Sequence, residues 1–151
     1  MPILTAGDTG KRLTGVLQSM HSASDIELAA ATIMPDHVHL LFLLRSRLLV
    51  GQVMGKFKSL ARDMGKSSWQ WQQDGFEHQV RRLESLEEYA FYIFMNPYRA
   101  GLCSLNASWA WWFCPEPKRF RFLDALENGK TVPSAWLDRS DQIAAKITTG
   151  E

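Results

Sequence analysis

Met34-Pro35-Asp36-His37-Val38-His39-Leu40-Leu41 is the stretch on which the reading of this chain turns. Pro35 fixes its own φ and Asp36 can bond its own backbone, so Met34-Pro35-Asp36 reads as a turn. After it, His37 to Leu44 is strand-sized and largely apolar. Before it, Asp25 to Ile33 holds Ile26, Leu28 and a run of alanines ending in Thr32-Ile33. Two strand-like segments around a tight turn predict an antiparallel hairpin. Side chains alternate along a strand, so His37 and His39 leave one face while Val38 enters the other. Two imidazoles so placed can share a divalent ion, although two polar residues on a solvated face would show the same spacing.

Working outward, Gly7 to Gly10 reads as a loop and Leu13 to Met20 as a short helix. From Leu48 to Met64, Val50, Val53, Met54, Phe57, Leu60, Ala61 and Met64 recur at helical spacing, with Gly65 placed to end the helix. Trp69 to Arg82 is aromatic and strand-like, broken at Asp74-Gly75. Ser85 with Glu88 three residues on reads as a capping box. The helix it opens turns Leu86, Ala90, Ile93 and Phe94 towards the core and reaches Asn96-Pro97. Tryptophans then gather up to Trp112. From Pro115 the chain reads as a basic turn and a peripheral extension, which gives a domain over residues 1–114 and an extension over 115–151. This alternation predicts an α+β domain with an antiparallel sheet and helices on one face.

The 151 residues suit one domain with a core of ordinary size, and the apolar and charged fractions, 46% and 22%, are those of a globular protein. No apolar run approaches the roughly 18 residues needed to span a bilayer. The N-terminus shows no basic segment followed by an apolar core, so no secretory signal is expected. Cys103 and Cys114 form neither a zinc pattern nor a disulfide framework, which leaves a reducing cytoplasm as the default location. A net charge of +1 argues weakly against a nucleic-acid partner. Its distribution argues the other way, with bases at Lys56, Lys58 and Arg62, at Arg81 and Arg82, and at Lys118, Arg119 and Arg121. Each cluster reads equally well as a solvated face.

Tyr92 and Asn96, four apart, share one side of their helix. A tyrosine hydroxyl there could attack a phosphate, and the Asn96 carbonyl offers a neutral, hard ligand. The plainer reading makes Tyr92 a core-edge aromatic and Asn96 a cap before Pro97. The two features gain weight together. Met34 to Leu41, Trp71-Gln72, Phe76 to Arg81, Tyr92-Ile93-Phe94-Met95-Asn96-Pro97-Tyr98-Arg99-Ala100-Gly101-Leu102 and Trp109 to Trp112 resemble, in order, the blocks of the single-tyrosine HUH transposases. The pattern is closest to the REP-associated tyrosine transposases and their IS200-like relatives, over roughly residues 30 to 113.

The resemblance implies a ferredoxin-like fold, often dimeric, that cleaves and rejoins hairpin-bearing single-stranded DNA through a 5′-phosphotyrosine. His37 and His39 match the metal-binding histidines, with Mg²⁺ or Mn²⁺ as the usual ion. Tyr92 matches the nucleophile and Asn96 the helical third ligand. Lys56, Lys58, Arg62, Arg81, Arg82 and Arg99 are candidates for phosphate contacts. Trp69 and Trp71 could stack on bases, with burial the more ordinary role. His78 reads as structural. Tyr89 and Tyr98 are rival nucleophiles separated from Tyr92 by family position. The family's usual first strand, central and next to the histidine strand, has no counterpart, and Pro2-Ile3-Leu4-Thr5 resembles the piece that follows it. An N-terminally truncated copy is therefore expected. A non-cutting nucleic-acid-binding domain of the same fold and a small metal-dependent hydrolase are the alternative readings.

Overall fold

The structure is a computed structural model that describes residues 8–23, 26–44, 50–62 and 83–148. Its elements are α1 (Thr9–Ser22), β1 (Ile26–Ile33), β2 (Val38–Leu44), α2 (Val50–Arg62), α3 (Leu83–Arg99), β3 (Trp112–Phe113) and α4 (Ala135–Thr148). Short 3₁₀ turns lie between β3 and α4. The three strands form one antiparallel sheet in the order β2-β1-β3. This is the α+β class expected. Trp69 to Arg82, with its strand-like reading, lies outside the described residues.

The hairpin is closed by the Met34 N–H on the His37 carbonyl at 2.8 Å, with Pro35 and Asp36 between them. Along β1 the register slips by one residue: Leu28 faces Phe42, but Ala30 faces Leu41. The extra residue, Ala29, is a β-bulge, and it changes which side chains share a face. Ile26, Leu28, Ala31 and Ile33 join one hydrophobic cluster, whereas Ala29 and Ala30 join another. The Cys114 thiol donates to the Ala29 carbonyl at 3.4 Å, so the bulge does not strand its acceptor.

The two clusters lie on opposite faces of the sheet. On one, α1 contributes Leu13, Leu17 and Met20 at spacings of four and three, and α2 contributes Val53 and Phe57. Val38, Leu40 and Phe42 of β2 point to this side. The first turn of α1 lies on Trp111, where a Cβ at Gly10 would come within 2.8 Å of the indole. Gly10, expected in a loop, is thus inside a helix at a close approach. The other face carries α3, with Leu41 of β2 among Ala90, Phe91, Ile93, Phe94 and Met95. Helices therefore cover both faces. The expectation of one face holds for α1 and α2, and α3 corrects it.

The helix α3 starts at Leu83, two residues before the expected capping box at Ser85, and runs through Pro97 to Arg99. Pro97 has no N–H, so the Ile93 carbonyl one turn earlier loses its helical donor. Thr32, fully buried in β1, supplies the replacement: its hydroxyl donates to that carbonyl at 2.7 Å. A helix that Pro97 was expected to stop is instead pinned to the sheet there. It ends where Gly101 adopts a φ of 73°. The N–H of Leu102 bonds the Pro97 carbonyl and that of Gly101 the Tyr98 carbonyl, a Schellman ending.

The segment from Pro115 is not peripheral. Phe120, Phe122, Val132, Trp136 and Ile143 are buried in the α3 cluster, with Phe91 at 5.5 Å from Phe122 and 5.2 Å from Trp136 between ring centroids. Among the described residues, no helix is long and apolar enough to cross a membrane.

Candidate functional site

The hairpin sets the first two side chains of the site. His39 and Leu41 share a face of β2, and Leu41 is buried against α3, so the alternation that hides Leu41 also turns His39 towards that helix. His37, at the mouth of the turn, reaches it from the same side: its Nε2 lies 3.0 Å from His39 Nε2. Asp36 Oδ1 sits 2.6 Å from His37 Nδ1. An ionised carboxylate can only accept, so Asp36 accepts from the Nδ1–H of His37 and turns Nε2 of that ring towards His39. That hydrogen bond is also the main reason the Asp36 carboxyl is held below its ordinary pKa. Burial, reinforced by His37, lowers the His39 pKa from 6.5 to about 4. At neutral pH His39 is an uncharged imidazole, the form that binds metal.

Does this pair suit a divalent ion? Octahedral Mg²⁺ holds its ligands at about 2.1 Å, which puts adjacent donors about 3.0 Å apart. The Nε2 separation matches that bite. Among the described residues no group of three His, Cys, Asp or Glu side chains gathers, so the histidines offer two donors and the remaining positions would fall to water or substrate oxygen.

The helix α3 supplies the other half. Tyr92, Asn96 and Arg99 recur at four and three along it and share a side. The Tyr92 ring meets His39 edge-on, with centroids 6.1 Å apart and planes at 80°. The Arg99 guanidinium carbon lies 5.4 Å from the Tyr92 ring centroid, a cation–π contact. Arg99 Nη1 donates to Asn96 Oδ1 at 3.2 Å. The Asn96 oxygen thus accepts from Arg99 with one of its two lone pairs, on the side of α3 that carries Tyr92. The assignment of the amide is set by that bond, since a flipped Asn96 would point NH₂ at a guanidinium. Its Nδ2 is buried and has no partner among the described residues, which leaves one unsatisfied donor there next to the site.

The rival tyrosines separate cleanly. Tyr98 is buried, its hydroxyl donates to the Ala107 carbonyl at 2.9 Å, and burial raises its pKa to about 12. It is a structural tyrosine. Tyr89 is partly buried against the α3 cluster, and its pKa is also raised, chiefly by burial. Tyr92 is the one that meets a histidine of the pair among the described residues.

The basic residues divide. Arg99 lies at Tyr92. Lys56 and Lys58 are on α2, which packs on the face opposite His39, so the structure does not bring them to the histidines. The Arg62 side chain and all of Arg81 and Arg82 lie outside what is described, as do Trp69, Trp71 and His78. Trp109 and Trp112 are structural: the first donates Nε1 to the Ile33 carbonyl at 3.0 Å, and the second packs 5.1 Å from Phe94.

Three contributors escaped the sequence reading. Asp36, taken only for a turn residue, orients His37, and its place beside the histidine was the available signal. Thr32 pins α3. Asp141 of α4 accepts from Arg99 Nε at 2.9 Å. The last two had no sequence signal, because their partners lie 61 and 42 residues away.

The profile of the family Transposase IS200 like matches residues 2–81, just over half of the 151. That segment contains Pro2 to Thr5, β1, β2 and both histidines, whereas Tyr92, Asn96 and Arg99 follow it. No curated protein and no solved structure matches the chain.

Proposed function

The chain belongs to the IS200-like transposase family, and on that premise we propose that it cleaves and rejoins single-stranded DNA, with Tyr92 as nucleophile and His37 and His39 holding Mg²⁺ or Mn²⁺. One observation carries the assignment of Tyr92: its ring lies against the histidine pair, 6.1 Å from His39 between centroids. A bound divalent ion supplies Lewis-acid polarisation of the scissile phosphate and a template for it.

The chain's own residues do the rest. Asp36 orients His37, and burial keeps His39 neutral, the form in which an imidazole can bind an ion. The helix α3, pinned by Thr32 at the Ile93 carbonyl, holds Tyr92 at that pair. The Tyr92 oxygen attacks phosphorus, the phenolic proton leaves, and the bond from phosphorus to the 3′ oxygen breaks. The products are a 5′-phosphotyrosine and a 3′-hydroxyl that has taken up a proton. A second 3′-hydroxyl reverses the exchange, so the bond energy is conserved and no nucleotide cofactor is consumed. Arg99 offers its guanidinium to the phosphate. Hairpin-bearing strands, of the REP palindrome type, are the substrate class that the sequence resemblance favours.

A single observation favours the alternative of a binding domain that no longer cuts: the Asn96 oxygen accepts a hydrogen bond from Arg99, which would compete with an ion for it. Incubating the protein with a 5′-labelled hairpin oligonucleotide and Mn²⁺ separates the two. Cleavage predicts a covalent protein–DNA band that disappears in Tyr92→Phe, a loss on the order of 10⁴-fold or more, and persists in Tyr89→Phe. A tight complex with no covalent band in the wild type would overturn the nuclease.

A further inference from the structure

The helix α4, from a segment outside the family match, reaches the site through one side chain. Its seat is apolar: Trp136 and Ile143 are buried in the α3 cluster, and the Arg139 guanidinium carbon lies 4.5 Å from the Phe91 ring centroid. So held, α4 presents Asp141 to Arg99. The Arg99 fork is then occupied on two sides, by Asp141 at Nε and by Asn96 at Nη1. Its other N–H groups have no partner among the described residues. A planar guanidinium fixed at two points has little freedom left, and this one lies over Tyr92.

We propose that Asp141 is a positioning residue for the cleavage site: by holding Nε of Arg99 it keeps the guanidinium over Tyr92, with donors to spare for the phosphate that Tyr92 attacks. This makes α4 a working part of the site, and it rests on the reading of Tyr92 as nucleophile. The ion pair is a poor candidate for a stabilising element. Asp141 is 65% exposed, and pairs so placed contribute little to folding. Asp141 therefore has little to do for the fold, which makes its effect on the reaction separable from any effect on stability.

Two measurements on the full chain test this. The first is single-turnover cleavage of the labelled hairpin oligonucleotide with Mn²⁺. Asp141→Asn lowers the rate about ten- to a hundredfold, the scale of a small misplacement of a reacting group, with the melting temperature unchanged. Asp141→Glu recovers part of the loss. In an Arg99→Ala background Asp141→Asn has no further effect, because what it positions is gone. Full additivity of the two substitutions, or a wild-type rate in Asp141→Asn, would overturn the proposal. The second measurement needs no DNA. Nuclear Overhauser contacts between the Arg99 side chain and the Tyr92 ring are present in the wild type, weakened in Asp141→Ala, which removes the acceptor, and restored in Asp141→Glu. If they are undiminished in Asp141→Ala, Asp141 positions nothing. Should the wild type form no covalent product, the nuclease reading fails by itself, and this second measurement still decides whether α4 places Arg99.

Discussion

On one side of β1, Ile26, Leu28, Ala31 and Ile33 meet Leu13, Leu17, Met20, Val53 and Phe57 in a cluster of aliphatic and aromatic groups. On the other, the neighbours of Ala30 and Leu41 include Thr32 and Asn96, both buried and polar, with His39, Tyr92 and Arg99 at the margin. The same strand serves both, and the bulge at Ala29 is what lets it. An unbroken alternation from Leu28 would have sent Ala31 towards α3 and Ala30 away from it. The extra residue resets the phase, so that Thr32 reaches the helix that carries Tyr92 while Ile33 stays with α1. The apolar face acts through area removed from water, and the other through hydrogen bonds and charges whose placement matters more than their number.

That contrast can be broken by substitution, starting with the largest effect on stability. Phe57→Ala removes a fully buried ring from the apolar face and should cost about 3 to 5 kcal/mol, read by urea denaturation. Cleavage per folded molecule should stay as in the wild type. A change in that normalised rate would mean that the two faces are not separate in function. On the opposite face, a metal held by the folded histidine pair adds stability by mass action, about 2.7 kcal/mol at a hundred times the dissociation constant. Mn²⁺ should therefore raise the melting temperature of the wild type and leave His39→Gln and His37→Ala unmoved. Equal shifts in all three would place the ion elsewhere.

How much of this contrast was legible beforehand follows from which interactions are local. The His-Val-His alternation is a property of three consecutive residues, and the hairpin around Pro35-Asp36 needs little more, so both were readable. The helical spacing of Val53 and Phe57 was too. The bulge was not, because in Ala29-Ala30-Ala31 identical side chains give no sign of where the phase slips. Pro97 was read as a stop, since on local grounds a helix there loses a hydrogen bond, yet the donor that rescues it sits in β1. Phe120, Phe122 and Val132 were read as peripheral because the 3₁₀ turns and loop that carry them have no periodicity to betray a buried face.

The Pro97 rescue is itself open to test, at a smaller scale. Thr32→Val keeps the shape of a fully buried side chain but leaves the Ile93 carbonyl without a donor, at a cost of about 1 to 3 kcal/mol. With Pro97→Ala the helix regains its own N–H at that point. The cost of Thr32→Val should then shrink, measured as a double-mutant cycle. An unchanged cost in the Pro97→Ala background would show that Thr32 acts through something other than the missing helical bond.

The smallest effect concerns protons. His39 titrates at about 4 when folded and near 6.5 when not, so between those values the unfolded chain binds more protons than the native one. Stability therefore falls as pH drops through that interval, and the contribution of His39 is complete only above its unfolded value. Asp36, whose folded pKa lies below 3.8, loses its contribution at lower pH and stays out of this window. In a chelating buffer, denaturation midpoints of the wild type should decline from pH 6.5 to 4 more steeply than those of His39→Gln, which has no proton to gain. Phe57→Ala leaves His39 and its surroundings on the other face untouched, so it should show the wild-type slope at lower absolute stability. Parallel curves for the wild type and His39→Gln would mean that α3 does not shield His39 from water, and the closeness of Tyr92 to the histidine pair would lose its physical basis.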